Sequence, residues 1–294
     1  MKNFAAAALA LALFGAAAIA QPADAAARPQ PTRELVFKQV EGDDLSLHIF
    51  EPAGHEPGNR RPAIVFYFGG GWVGGSASQF YGHAQHLANR GMVAICAEYR
   101  TQKSHGATPF DCVMDGKSAM RYVRAHAAEL GVDPRRIAVG GGSAGGHVAA
   151  TTATIANVND PADDLSVSPV PAAMVLFNPV IDTGPNGYGY DRLKARYHEI
   201  NPLGHVRPGT PPTIIFVGTA DTTTPPEGDR QFKQKMQAAG NRCELHEFEG
   251  ETHGFFNAGR GKSGDHYAAT LKLMDAFLVS LGYLPPSTQT GAKP

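Results

Sequence analysis

The sequence predicts an α/β protein whose sheet is mostly parallel and twisted, with helices packed on both faces. Three observations predict this fold class. Apolar runs of strand length alternate with segments of helical spacing along most of the chain. Several of these runs are apolar at every position, which is typical of strands covered on both faces. No internal repeat or linker divides the 294 residues, so one large domain is expected over residues 35–283.

The predicted strands begin with an opening pair. Residues 35–40 and 45–50 flank a Gly-Asp-Asp turn, and this arrangement favours two neighbouring strands. The next run, Ala-Ile-Val-Phe-Tyr-Phe at 63–68, is continuously apolar. The remaining predicted strands are 92–97, 137–139, 173–177, 213–217 and 243–248.

Helices are predicted between and after these strands. The longest covers 110–130, where apolar residues recur at helical spacing before the Asp-Pro pair that starts at residue 133. The other predicted helices are 78–90, 147–156, 228–239 and 266–281. Residues 178–212 have no regular period and are expected to form a short cap insertion. Residues 284–294 are expected to be a flexible tail.

Composition excludes one large class of function. Lys and Arg (26) balance Asp and Glu (27), the net charge is -1, and 18% of residues are charged. A nucleic-acid-binding protein needs a basic surface to neutralise phosphates, so no nucleic-acid partner is expected. With 43% hydrophobic residues, the chain has enough apolar material for a sizeable core. The oligomeric state stays open.

The N-terminus has the pattern of a bacterial secretory signal. Lys2 supplies a short positive region, residues 4–19 are almost wholly apolar, and Ala-Ile-Ala at 18–20 precedes a cleavage site. A retained membrane anchor is the alternative, but the run is short for a span of about 20 residues. Residues 1–20 are therefore predicted to be a signal peptide and 21–34 a flexible segment. The mature protein is expected in the periplasm or outside the cell, with no stable membrane insertion.

The three cysteines are Cys96, Cys112 and Cys243. So sparse and odd a set excludes a disulfide framework and lacks zinc-finger spacing, although one disulfide among the three stays open. Cys96 lies in an apolar run and is interpreted as a small core residue. No metal site is predicted.

The most specific motif is Gly-Gly-Ser-Ala-Gly at 141–145, which fits G-x-S-x-G. It lies between a predicted strand and a predicted helix, where a sharp turn exposes the serine hydroxyl. Ser143 is therefore the candidate nucleophile, and the N–H of Ala144 is a candidate oxyanion donor. A structural glycine turn or a phosphate-binding loop is the alternative, but the Lys that a P-loop requires is absent here.

A second glycine-rich turn follows the predicted strand at 63–68. Three glycines and Trp72 occupy residues 69–72, and glycines let backbone N–H groups approach a substrate oxygen closely. Gly70 and Gly71 are the candidate donors of the oxyanion hole. The alternative is a simple turn at the end of a strand.

A serine nucleophile needs a base and an acid that orients the base. His253 follows the last predicted strand, and Asp221 follows the strand before it. Carboxyl ends of parallel strands meet at one edge of a sheet, so these residues and Ser143 are predicted to form the catalytic triad. Asp182 is the second choice for the acid. His147 is expected to pack or to line the floor of the pocket.

Aromatic residues suggest where the substrate lies. Tyr188 and Tyr190 fall in the irregular segment, with Tyr197 and two arginines nearby, and Trp72 follows the glycine turn. Aromatic rings beside polar groups suit sugars or aromatic esters, so Trp72, Tyr188 and Tyr190 are predicted to bind substrate. The alternative is that the tyrosines only pack the loop.

These motifs, in this order, resemble the α/β-hydrolases of the serine esterase type, near the hormone-sensitive-lipase-like branch and bacterial acetyl-xylan and feruloyl esterases. The resemblance spans about residues 35–281. The matching residues are Gly69-Gly70-Gly71-Trp72, Glu98-Tyr99-Arg100, Asp115, Asp133-Pro134-Arg135-Arg136-Ile137, residues 141–146, Gly218-Thr219-Ala220-Asp221 and His253-Gly254-Phe255. One departure is Phe68, which stands where the family usually has a His that organises the oxyanion loop.

The resemblance implies an ester hydrolase that needs no cofactor. A secreted enzyme without a large apolar cap suits short acyl groups on bulky soluble alcohols. We therefore expect removal of acetyl-like groups from plant polysaccharide fragments such as acetylated xylan, with a small-molecule or oligosaccharide ester as substrate. A general short-chain carboxylesterase or a feruloyl esterase is the alternative. A serine peptidase of the same fold or a non-catalytic binding protein is less favoured.

Overall fold

A single sheet of eight strands organises the computed structural model, which describes residues 28–40, 42–262 and 264–286. The strand order is β1-β2-β4-β3-β5-β6-β7-β8. The strands are β1 (Arg33–Val40), β2 (Asp43–Phe50), β3 (Arg61–Tyr67), β4 (Val93–Ala97), β5 (Val132–Gly142), β6 (Ala173–Phe177), β7 (Thr213–Gly218) and β8 (Cys243–Phe248). The β1–β2 and β2–β4 pairs are antiparallel, and every pair from β4 to β8 is parallel. The prediction of a mostly parallel sheet is confirmed.

Helices cover the sheet between these strands. They are α1 (Tyr81–Asn89), α2 (Gln102–His105), α3 (Pro109–Ala125), α4 (Ala144–Thr154), α5 (Tyr190–Leu193), α6 (Pro226–Ala238) and α7 (His266–Ser280), with 3₁₀ turns at Ala77–Phe80, Lys194–Ile200 and Pro202–Gly204. Every residue of β4, β6 and β7 is buried, which requires cover on both faces of the sheet. One continuous hydrophobic core joins β2 to β8.

Several helix bounds differ from the prediction, and two of these differences have a clear physical reason. The helix predicted over 110–130 ends at Ala125, because the chain turns through residues 126–130 and Gly131 reverses it into β5 at a φ of 62°. Its apolar residues stay buried after the helical backbone has ended, so the hydrophobic period outlasts the helix. The helix predicted from residue 147 begins at Ala144, directly after the serine turn. Two glycines hid this start, because glycine is a poor helix former.

The ends of the chain and its cysteines complete the description. The predicted signal peptide, residues 1–20, lies outside the described residues, and β1 begins at Arg33 rather than at residue 35. No helix within residues 28–40, 42–262 and 264–286 is long and apolar enough to cross a membrane. All three cysteines are buried free thiols.

Candidate active site

Ser143 occupies the turn between β5 and α4. Its φ of 54° and ψ of -122° lie in a region that non-glycine residues rarely adopt. Glycines around it make the turn fit. A Cβ built on Gly141 would lie 2.4 Å from the carbonyl oxygen of Gly145, and one on Gly145 would lie 2.1 Å from that of Tyr67. The small residues of the G-x-S-x-G motif are therefore required by close backbone packing.

His253 and Asp221 lie beside this serine. The Nε2 atom of His253 is 2.8 Å from Ser143 Oγ, and its Nδ1 atom is 2.7 Å from Asp221 Oδ2. Asp221 follows β7 and His253 follows β8, so adjacent parallel strands deliver both side chains to one edge of the sheet. The structure thus brings together the three residues that the sequence predicted as a triad.

Asp221 is held in place by the loop that follows it. Its Oδ1 atom accepts hydrogen bonds from the backbone N–H groups of Thr223 (2.8 Å) and Thr224 (3.0 Å). The Thr224 hydroxyl donates to Oδ2 at 2.9 Å and lies 3.2 Å from His253 Nδ1. Burial alone would raise the pKa of Asp221, but the hydrogen bonds from His253 and the Thr224 backbone outweigh it and keep that pKa below its ordinary value. The carboxylate stays ionised against the imidazole.

Sequence reasoning missed a fourth polar residue, Asn178. It follows β6, is fully buried and has a φ of 33°. Its Oδ1 accepts the N–H of Gly254 at 3.0 Å, which anchors the loop that carries His253. The position of Asn178 at a strand end, like that of Asp221, is the signal that could have found it.

The predicted oxyanion donors lie on two turns beside the serine. Gly70 and Gly71 follow β3 with φ values of 131° and 63°, which glycine adopts without strain. A Cβ built on Gly69 would lie 3.3 Å from Cβ of Ser143, so this loop passes directly beside the serine. Ala144 is the first residue of α4, where backbone N–H groups are free of intrahelical partners.

Phe68 shows how the loop accommodates its departure from the family. Its ring stacks on Tyr99 with centroids 4.1 Å apart, and its carbonyl oxygen accepts the Tyr99 hydroxyl at 2.6 Å. An aromatic stack and one backbone hydrogen bond hold this residue, where the resemblance led us to expect a histidine.

A cavity of about 610 Å³ opens above these groups. The lining residues are Gly69, Gly70, Gly71, Gly75, Ser76, Ser78, Gln79, Ser143, Asn178, Tyr188, Thr223, His253, Gly254, Phe256, Asn257 and Arg260. Tyr188 thus lies at the wall, where a bound substrate could contact it. The mouth of the cavity is polar, since Ser76, Ser78 and Arg260 are exposed.

Two predicted substrate-binding residues do not line this cavity. Trp72 is 1% exposed and packs behind Tyr188 and His147, with ring centroids 5.4 Å and 5.0 Å away. Tyr190 begins α5 and packs edge-on against Tyr197 at 5.6 Å. Trp72 is enclosed by its neighbours, whereas Tyr190 is half-buried, and contact of either residue with substrate stays a prediction. Only Tyr188 of the three reaches the cavity.

Two further polar residues considered in the sequence analysis, Asp182 and His147, do not line the cavity at Ser143. Asp182 accepts hydrogen bonds from the Gly184 N–H (2.7 Å) and Asn201 Nδ2 (3.2 Å), and it lines a separate cavity of about 180 Å³. His147 is fully buried and its Nε2 lies 2.7 Å from the Ile200 carbonyl oxygen; burial lowers its pKa to about 4. Within the part of the chain that the structure describes, no three His, Cys, Asp or Glu side chains gather to hold a metal ion.

Family comparisons agree with this architecture, which is the α/β-hydrolase fold. The BD-FAE family model matches residues 47–185, and the dienelactone hydrolase family matches residues 188–279. A probable isoprenylcysteine α-carbonyl methylesterase of Arabidopsis thaliana is 29% identical over 252 residues, which cover 76% of this chain and 51% of that protein. The esterase LipC of Mycobacterium tuberculosis is 28% identical over 222 residues, covering 68% and 54%. The chain spans about half the length of these curated relatives.

Solved structures are more similar. Esterase 2 of Thermogutta terrifontis, phosphoramylated by tabun, is 49% identical with a TM-score of 0.83, and the match covers 87% of this chain and 96% of that one. Its butyrate-bound form is 47% identical with a TM-score of 0.82 and the same coverage. The chain belongs to the α/β-hydrolase carboxylesterases.

Proposed function

We propose that this protein hydrolyses carboxylic esters with short acyl groups, using Ser143 as nucleophile, His253 as general base and Asp221 as the orienting acid. The observation that carries the proposal is the continuous hydrogen-bonded path from Ser143 Oγ through the imidazole to Asp221, with distances of 2.8 Å and 2.7 Å. A serine hydroxyl is a weak nucleophile until such a base takes its proton.

The geometry supports a two-step reaction. Ser143 Oγ attacks the ester carbonyl carbon while His253 Nε2 takes the hydroxyl proton. The π electrons of the carbonyl move to its oxygen, which becomes an oxyanion. Collapse of this intermediate breaks the bond to the alcohol oxygen, which receives the proton from His253. A water molecule then attacks the acyl-serine by the same route in reverse, releasing the acid and restoring Ser143. Asp221 keeps the Nδ1–H tautomer and stabilises the imidazolium.

Backbone donors stabilise the charge that develops on the carbonyl oxygen. We infer that the N–H groups of Gly70, Gly71 and Ala144 serve this purpose, because they belong to the two turns that flank Ser143. Such contacts act chiefly in the transition state, and each is worth roughly 3–4 kcal/mol. The N-terminus of α4 adds favourable partial charge at the same place.

The preference for short acyl groups is supported by the relatives. Esterase 2 of Thermogutta terrifontis was solved with propionate and with butyrate bound, at 47% identity to this chain in both cases. The insertion between β6 and β7 carries short helical turns, the longest being seven residues, and so offers little cover for a long chain. Each methylene left in water forgoes up to about 0.8 kcal/mol of burial.

For the alcohol side we propose a soluble, hydroxyl-rich group, as in acetylated plant polysaccharide fragments. The exposed Ser76, Ser78 and Arg260 at the cavity mouth, together with Tyr188 at its wall, suit hydrogen bonding and stacking with sugars. A general short-chain carboxylesterase or a feruloyl esterase is the alternative that the same cavity accommodates. Export from the cytoplasm is part of the proposal and is supported by the sequence of residues 1–20 alone; mass spectrometry of the mature N-terminus tests it.

The test is a hydrolysis screen with the wild type and Ser143→Ala. Wild-type kcat/KM should peak between acetyl and butyryl p-nitrophenyl esters, and acetylated xylan should release acetate. Ser143→Ala should lower kcat by on the order of 10⁶ while the melting temperature stays the same. A variant that keeps more than about a tenth of the rate would remove Ser143 as nucleophile. Efficient cleavage of long-chain triglycerides with poor cleavage of acetyl esters would overturn the acyl preference.

A further inference from the structure

Two loops from distant parts of the sequence are joined at the active site by one side chain. Gln79 Oε1 accepts the backbone N–H of Gly69 at 2.6 Å, and Gln79 Nε2 donates to Asn257 Oδ1 at 3.2 Å. Gln79 and Asn257 are 178 residues apart in sequence. One amide therefore contacts both the glycine loop after β3 and the loop after β8.

Asn257 continues this connection to the catalytic histidine. Its Nδ2 donates to the carbonyl oxygen of Gly254 at 2.9 Å, and its own N–H donates to the same oxygen at 3.1 Å. Gly254 is the residue directly after His253. The hydrogen bonds thus run from Gly69, at the start of the oxyanion loop, to the residue beside the base.

An aromatic stack holds the two amides at this distance. Phe80 and Phe256, the sequence neighbours of Gln79 and Asn257, are each 1% exposed and stack with centroids 5.8 Å apart and planes at 19°. The ring of Phe256 also approaches the serine turn, because a Cβ built on Gly142 would lie 2.6 Å from its Cζ. Each residue of the amide pair is therefore adjacent in sequence to a buried, stacked phenylalanine.

We propose that Gln79 and Asn257 are positioning residues that set the distance between the oxyanion loop and His253. This inference rests on the proposed function of Ser143 and His253. The Phe68 side chain has no hydrogen-bonding group, so Gln79 supplies the polar brace that a histidine at position 68 would otherwise provide. Oxyanion donors act by being held in place before the reaction, and a misplacement of about 1 Å costs roughly 100-fold in rate.

The first test replaces Gln79 with methionine, which has similar length but lacks both hydrogen bonds. In Gln79→Met, kcat for p-nitrophenyl butyrate should fall roughly 10- to 100-fold with KM changed less than threefold. Affinity for a trifluoromethyl ketone, whose adduct places an oxyanion in the hole, should fall by the same factor as kcat/KM. Affinity for butyrate should stay unchanged. A purely structural defect would instead weaken both ligands and lower the melting temperature.

The second test asks whether the two residues act as a unit. Asn257→Leu should show the same loss, and the double variant should be no slower than the slower single variant. Gln85→Met is the matched control on α1, because the Gln85 amide donates to Asn89 at 2.9 Å and does not line the cavity; its kinetics should match the wild type. Additive losses, or a rise in KM without a fall in kcat, would overturn the proposal.

A readout that is independent of turnover separates this inference from the proposed function. Hydrogen exchange of the peptide that contains Gly69 should be faster in Gln79→Met than in the wild type, because the Gly69 N–H loses its acceptor. If the wild type hydrolyses no ester, the proposed function fails while this measurement still tests the brace. Unchanged exchange at Gly69 in Gln79→Met would refute the proposal that Gln79 braces the oxyanion loop.

Discussion

Replacing Asp221 with asparagine perturbs the tautomer of His253 and little else. The carboxylate uses Oδ1 to accept two backbone N–H groups, from Thr223 at 2.8 Å and Thr224 at 3.0 Å, while Oδ2 faces His253 Nδ1 at 2.7 Å. An asparagine in this position keeps its oxygen toward the two N–H groups. Its NH₂ group must then donate to Nδ1, so the imidazole proton moves to Nε2.

That tautomer cannot accept a proton from Ser143, since Nε2 already carries one. We expect Asp221→Asn to lower kcat roughly 10⁴-fold, about 5 kcal/mol of lost transition-state stabilisation, with little change in KM. The two side chains have similar volume and the backbone hydrogen bonds remain, so the melting temperature should change by only a few degrees. Steady-state hydrolysis of p-nitrophenyl butyrate and thermal unfolding by circular dichroism provide both measurements.

The matched control is Asp182→Asn, since Asp182 is the other carboxylate considered for this role. Its Oδ1 binds the Gly184 N–H and Asn201, and its carboxylate lines the separate cavity, so we expect kcat/KM within a few-fold of wild type. The reverse ranking would transfer the acid to Asp182. Small effects in both variants would refute the argument that a carboxylate must orient the imidazole.

Two more predictions follow from burial and close packing. Burial lowers the pKa of His83 to about 3, so the folded protein keeps this ring neutral while the unfolded chain binds a proton below about pH 6.5. In His83→Phe the free energy of unfolding should therefore fall less steeply as the pH is lowered, by up to about 1.4 kcal/mol per pH unit between about pH 6.5 and pH 3. Urea titrations at pH 7, 6 and 5 give this free energy for both proteins, and the same dependence on pH in both would contradict the prediction. Gly71→Ala should lower kcat/KM at least about tenfold, because Gly71 has a φ of 63° and an added Cβ would lie 2.5 Å from the Tyr188 hydroxyl. Gly74→Ala is the control and should match the wild type, because a Cβ added there would have its nearest neighbour at 3.6 Å.

The strands of the sheet and the catalytic residues at their carboxyl ends could be predicted from the sequence. The structure confirms the predicted bounds of β6 and β8, and the other predicted strands overlap observed ones. Strands β4 and β6 are apolar at every position because both of their faces are buried, whereas β8 at the edge of the sheet mixes polar and apolar residues and is only partly buried. Ser143, Asp221 and His253 could be proposed together because each follows a predicted strand of the parallel part of the sheet. The rule uses only strand order and residue type, and both are local features of sequence.

The burial and contacts of individual side chains could not be predicted from the sequence. Trp72 and Tyr190 were predicted to contact substrate, yet neither lines the cavity. Trp72 is buried because Tyr188, from a distant segment of the chain, packs against its ring. Gln79 and Asn257 were not predicted to belong to the site, because single amide side chains are common. Their hydrogen bond joins residues that are 178 positions apart in the sequence. Contacts between distant segments have no signature in one sequence.

Sheet order explains why the site needs a brace. In the order β3-β5-β6-β7-β8, the serine strand has the oxyanion loop on one side and the strands of Asn178, Asp221 and His253 on the other. On the histidine side, Asn178 accepts the N–H of Gly254 and the Thr224 hydroxyl donates to Asp221. On the other side, side chains hold the glycine loop after β3, with Gln79 accepting the N–H of Gly69 and Arg192 donating to the carbonyl oxygen of Gly71. The Gln79–Asn257 hydrogen bond joins these two sides at the wall of the cavity, which both residues line. A substitution that loosens either loop should therefore affect oxyanion stabilisation before it affects the Ser143–His253 distance, and kcat before KM.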